Sequence, residues 1–207
     1  VLNVVNGTIS STANNGGSAI INTGTAVCEN VTLNGAPNAD GSWPSYTVNN
    51  TATMVVTDSI ITSYHGAVAS YGANAVLTLN NSEIDMSGIP GFTSHGMYTY
   101  NNGKIIVNGG EYANNAADQN ATGASVINGA VEINGGTFTG RIENYSGTPV
   151  IKGGTFSVKP NAKFIAEGYK VKANEDGTYG GILGALGDFP LIGTVLQLFS
   201  SFTPGVN

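Results

Sequence analysis

The sequence predicts an all-β solenoid, a chain wound into stacked coils that share one core. Three observations predict it. A phrase built from an apolar residue, a turn and an aromatic returns along the chain: Ile133-Asn134-Gly135-Gly136-Thr137-Phe138 reappears as Ile151-Lys152-Gly153-Gly154-Thr155-Phe156. A second, alternating phrase sits between the copies, as in "GGSAIINTGTAV", "HGAVASYGANAVLTL" and "HGMYTYNNGKIIV". The composition suits short strands and tight turns, because 41% of the 207 residues are hydrophobic, only 10% are charged, and thirty are glycine. Gly and Asn accept positive φ, whereas Val and Thr favour strands.

Taken in order, the apolar anchors of the first phrase are Val4, Val27, Val56, Leu79, Val107, Ile133 and Ile151. The Val27 copy is the poorest, and its Val31 and Leu33 suggest a slip of one residue. Spacings of 18 to 29 residues are too irregular for helical or leucine-rich arrays, and each unit is too short for a propeller blade of four strands. A stacked coil fits: equivalent strands lie parallel, about 4.7 to 4.9 Å apart, and the coils together bury what one coil cannot. About seven coils are expected over residues 1 to 158, with surplus residues leaving as loops at 34–45 and 86–96. Ile9, Ile61, Ile84, Tyr112, Phe138 and Phe156, each following a turn, are expected to stack as an interior column.

The ends need covers, because unpaired strand edges invite aggregation. Residues 159 to 181, with strand-like "GYKVKA" and the turn "NEDG", predict a cap hairpin. The tail, 182 to 207, is apolar, and Leu191, Ile192, Val195, Leu196, Phe199 and Phe202 recur at helical spacing after Asp188 and Pro190. Its apolar run is too short to cross a bilayer. Packing on its own solenoid is the expected role, with a neighbouring subunit or the cell envelope as alternative supports. Val1 begins almost directly in a strand with no visible cap, so end-to-end self-association is a further expectation. All parts form one domain.

This pattern resembles the right-handed parallel β-helix of the pectate-lyase-like superfamily. More narrowly, "SHGMYTYNNGKIIVNGGEY", "VEINGGTFTG" and the closing "GGTFSVKPNAKFIAEGYKVKANEDGTY" resemble repeats of bacterial cell-surface and adhesin-type β-helix proteins. The resemblance covers roughly residues 1 to 180 and implies an extracellular, secreted or cell-surface setting. Lyase-type relatives use clustered acidic calcium ligands and a basic residue on one strand face. Here Arg141 is the sole arginine and the lysines lie mostly after residue 150, so that constellation is absent from the sequence.

The net charge of −6 with only seven Lys and Arg argues against nucleic acid and against an anionic membrane surface. The single Cys28 reads as a small buried apolar residue. No motif for a cofactor or a metal is present; His65 and His95 alone make a poor zinc site. Aromatics concentrate in three successive coils, and Trp43, Tyr64, His65, His95, Tyr98 and Tyr100 form a candidate glycan patch, with His65 and His95 expected at equivalent corners. Half of these aromatics are equally readable as core fillers, because alternate strand residues point inward. Glu83 and Glu111 occupy the same repeat position and would stand about 5 Å apart on adjacent coils, which makes them candidate acids of glycoside chemistry. The expected function is a non-enzymatic extracellular surface protein: an adhesin, surface-layer component or self-assembling filament subunit. A carbohydrate-active or carbohydrate-binding β-helix is the alternative.

Overall fold

A computed structural model describes residues 1–12, 16–37, 46–86, 93–115 and 124–183. The protein is all-β, a solenoid of about four turns with 64% of the described residues in strands. The strands are β1 (Leu2–Ser10), β2 (Ile20–Asn22), β3 (Thr25–Asn34), β4 (Tyr46–Asn50), β5 (Thr53–Thr57) and β6 (Ile60–Ser63). They continue with β7 (Gly66–Tyr71), β8 (Val76–Met86), β9 (Ser94–Tyr100), β10 (Lys104–Asn114), β11 (Ala124–Asn128) and β12 (Val131–Thr139). The last are β13 (Ile142–Glu143), β14 (Val150–Ile151), β15 (Thr155–Phe156), β16 (Tyr169–Ala173) and β17 (Tyr179–Leu183). One sheet follows the order β1-β3-β5-β8-β10-β12-β15-β17-β16, with β6 and β14 at its side, and a second sheet follows β13-β11-β9-β7-β4-β2.

The repeat phrase becomes a stack of equivalent residues because parallel pairing keeps register from coil to coil. Val4, Cys28, Val56, Leu79, Val107, Ile133 and Ile151 are successive Cα partners. The second anchor is therefore Cys28 and not Val27, since the strand's alternation turns Cys28 inward to 0% exposure. Burial also pushes the Cys28 thiol above its ordinary pKa. Five residues further on, Ile9, Leu33, Ile61, Ile84, Tyr112, Phe138 and Phe156 form the next interior column.

Between the two columns the chain turns a corner, and the residue two after the anchor takes the left-handed conformation. It is Asn6, Asn30, Asp58 and Asn81, with φ between 45° and 61°, and then Gly109 at 90°. Asn and Asp tolerate this region better than other side chains, and here they use it twice over. Asn30 Nδ2 donates to Asn6 Oδ1 at 2.7 Å, and Asn81 Nδ2 donates to Asp58 Oδ1 at 2.7 Å. One position earlier, Asn134 donates to Asn108 at 2.8 Å and Asn108 to Asn80 at 3.0 Å. Asn81→Ala, which loses both the conformational tolerance and the bond, is expected to lower stability by about 1 to 2 kcal/mol in urea denaturation. An unchanged midpoint would show that the corner does not need Asn.

The glycine pair of the repeat has a packing cause. Where the interior column holds Leu33, Ile61 or Ile84, the third position after the anchor carries a buried side chain, Val31, Ser59 or Ser82, whereas beside Ile9 it is Gly7. Where the column turns aromatic, that position is Gly110, Gly136 or Gly154. All three hold positive φ, between 99° and 109°; a Cβ on Gly136 would sit 3.0 Å from Gly110 O and 3.2 Å from Tyr112 Cε2, and one on Gly154 3.0 Å from Gly136 O and 3.2 Å from Phe138 Cε2. Large ring and missing side chain are complementary. The rings stack, Tyr112 on Phe138 at 5.2 Å between centroids and Phe138 on Phe156 at 5.1 Å.

At the C-terminal end the parallel ladder stops. β17 runs antiparallel to β15 and to β16, so the last coil pairs with a hairpin. The hairpin turn places Gly177 at φ 83° and is tied by Asn174 N–H to Thr178 O at 2.8 Å. Phe164, in a single 3-10 turn at Ala162–Phe164, is 4% exposed and joins the core beneath it. The six apolar tail residues Leu191, Ile192, Val195, Leu196, Phe199 and Phe202 lie outside the described residues. No helix among the described residues is long and apolar enough to cross a membrane.

Candidate functional site

The two sheets differ in charge. Strands β2, β4, β7, β9 and β11 of the second sheet contain no Asp, Glu, Lys or Arg. β13 adds Glu143, whose carboxylate is ion-paired with Arg141. The first sheet carries Glu29, Glu83, Asp85, Lys104, Glu111, Glu132, Lys170 and Lys172 in its strands.

The uncharged sheet holds the aromatic cluster. The ring of Tyr46 stacks on Tyr98 at 5.7 Å, His95 on Tyr98 at 5.2 Å, and Tyr98 on Tyr100 at 6.4 Å, with interplanar angles of 12° to 15°. Tyr46 and Tyr98 belong to strands two apart, with β7 between them. They meet because β7 presents Gly66 and Ala69: a Cβ on Gly66 would stand 2.6 Å from Tyr46 Cδ1, so the ring occupies the space a side chain would fill. Tyr71 is the register partner of Tyr100. Ser146 hydrogen-bonds the Tyr98 side chain, and the segment carrying it is fixed by Tyr145 N–H to Asn128 Oδ1 at 3.0 Å and Ser146 Oγ to Asn128 O at 3.1 Å. Tyr100 is 53% exposed and Tyr145 is 94% exposed.

Burial, then the neighbouring Tyr98, holds the Tyr46 phenol well above its ordinary pKa; Tyr98 is raised by burial first and by Tyr100 second. These two phenols, Tyr46 and Tyr98, therefore stay neutral at physiological pH.

The sequence-predicted residues divide on this frame. Tyr98 and Tyr100 are in the cluster, and Tyr64, 43% exposed, lies on the loop before β7. His65 and His95 are both buried, and the backbone His95 N–H donates to His65 O at 2.9 Å. The register sets His95 opposite Gly66, one residue past the expected equivalence. His95 Nδ1 lies 3.0 Å from Ser125 Oγ, and burial lowers its pKa to about 4. Burial also lowers His65. Trp43 lies outside the described residues. Tyr46, one of the aromatics concentrated in these coils, and Tyr145 join the site; the further signal for Tyr46 is the small Gly66 opposite it on the adjacent strand.

Glu83 and Glu111 are register partners and both are exposed. Glu111 borders an open groove of about 610 Å³ on the first sheet, whose floor is Gly109, Gly110, Gly136 and Gly154. Among the described residues no group of three or more His, Cys, Asp and Glu converges as a metal site. No protein-family model matches the chain, and no curated protein or solved structure matches it significantly.

Proposed function

We propose that this chain is a non-enzymatic extracellular surface protein of the adhesin type, in which a right-handed β-helix of seven coils serves as a rigid display surface. The observation that supports this best is the segregation of its two sheets, one free of charge on five strands and lined with stacked tyrosines, the other carrying the acidic residues. Coil ends that stack on one another, with Leu191, Ile192, Val195, Leu196, Phe199 and Phe202 as contact residues, extend the proposal to filaments or surface layers. Tyr64, Tyr98 and Tyr100 are the ligand-facing residues it names, together with Trp43, which lies outside the described residues.

A second reading, a carbohydrate-active β-helix with Glu83 and Glu111 as its acids, is favoured by their register pairing beside a groove. Adjacent strands put two such carboxylates near the roughly 5 to 5.5 Å separation that retaining glycosidases use. A glycan array read together with a reducing-sugar assay separates the two. Binding without turnover is the expected result; release of reducing ends that Glu111→Gln abolishes would replace the first reading with the second.

A further inference from the structure

We infer that the tyrosine cluster of the second sheet is a binding platform for a neutral glycan, and that Tyr46, Tyr98, Tyr100 and Tyr145 make it. The inference rests on the adhesin reading and names the ligand class and the residues for it. Three features of the face select that class.

The first is shape. Sugar rings whose hydroxyls are equatorial present flat C–H faces, and such faces stack on aromatic rings. Here Tyr46, Tyr98 and Tyr100 stack on one another at 5.7 and 6.4 Å and back the site, while the rings open to a ligand are Tyr100 at the end of the stack, 53% exposed, and Tyr145, 94% exposed. Small residues beneath them, Gly66 and Ala69, hold the array close to the sheet. A platform built on paired strands is preorganised, so binding does not spend entropy on ordering the rings.

The second is charge. Recognition of an acidic polysaccharide needs cations aimed at carboxylates or sulfates. The five strands β2, β4, β7, β9 and β11 carry none, and Arg141 at the margin is ion-paired with Glu143. Among the described residues these strands are neutral, which matches a neutral ligand.

The third is the supply of neutral hydrogen-bonding groups at the rim. The Tyr98 phenol and the Ser146 hydroxyl are already paired with each other, while the exposed phenols of Tyr100 and Tyr145 offer an O–H beside each ring. Rings with one apolar face and one polar tip suit a ligand whose rings have the same two characters.

Isothermal titration of the whole protein with cellohexaose, and separately with hexagalacturonate, tests this. Cellohexaose is expected to bind and hexagalacturonate not. Tyr100→Ala and Tyr145→Ala are each expected to weaken binding about tenfold, and the corresponding Phe variants by about threefold or less, because stacking survives loss of the hydroxyl. Tyr145 is 94% exposed, so its variant reports on binding without disturbing the fold. Glycan binding that both Ala variants leave unchanged overturns this site but leaves the adhesin reading standing. Preference for the acidic hexamer, or tyrosine-dependent binding of a protein in place of any glycan, overturns the ligand class. Cleavage of cellohexaose overturns the adhesin reading itself.

Discussion

Phe138→Ala is expected to lower the free energy of unfolding by about 3 to 5 kcal/mol. Phe138 is 0% exposed and is sandwiched at 5.2 Å by Tyr112 and at 5.1 Å by Phe156, so truncation opens a cavity that neither neighbour can fill without leaving its own stack. Collapse is also prevented from the corner side, where Gly136 has no side chain to move in. The same column holds Ile61 and Ile84 in earlier coils, so Phe138→Ile is expected to be more stable than Phe138→Ala. Guanidinium unfolding decides it. A loss under about 1 kcal/mol for Phe138→Ala would mean the aromatic column is not what holds these coils together.

The second large effect is a loss of stability in mild acid. His95 has a folded pKa of about 4 against an ordinary value of 6.5, lowered by burial beneath Tyr98. Above pH 6.5 the ring is neutral in both states and costs nothing. Below that the unfolded chain takes up a proton that the folded one refuses, so stability falls as pH drops from about 6.5 to about 4, by about 3 kcal/mol in all. His65 is shifted in the same direction by burial and adds to the slope. Asp176, whose pKa is lowered by its bonds to Thr178, acts only at lower pH and leaves the window clear. His95→Gln is expected to flatten the profile between pH 6.5 and 4 in thermal melts. A wild-type profile already flat there would show that the buried imidazole is not held neutral.

How much of this was legible in the sequence depends on how far each feature is local. The interior columns were, because an inward position repeated in every coil must stay apolar, and Ile61, Ile84, Tyr112 and Phe138 stand at one offset from their anchors. The anchor at Cys28 was misplaced by one residue since Val27 and Cys28 are both apolar, and only the pairing with Val4 and Val56 tells which one faces in. The candidate site was less legible. Whether an aromatic side chain faces out depends on the register of strands that are far apart in sequence. His65 and His95 carry matching "HG" phrases, yet the ladder offsets them by one residue and both rings are buried. Tyr46 reaches Tyr98 over Gly66, a contact that exists only once three coils are stacked.

The parallel ladder also sets how the protein bears force. Its backbone bonds point from coil to coil, along the axis on which the coils stack, while the covalent chain runs around it. Traction applied end to end therefore loads the bonds of one coil boundary at a time and peels coils in succession. Traction across the body is carried by the peptide backbone itself. A tethered molecule of this design yields gradually in one direction and resists stiffly in the other.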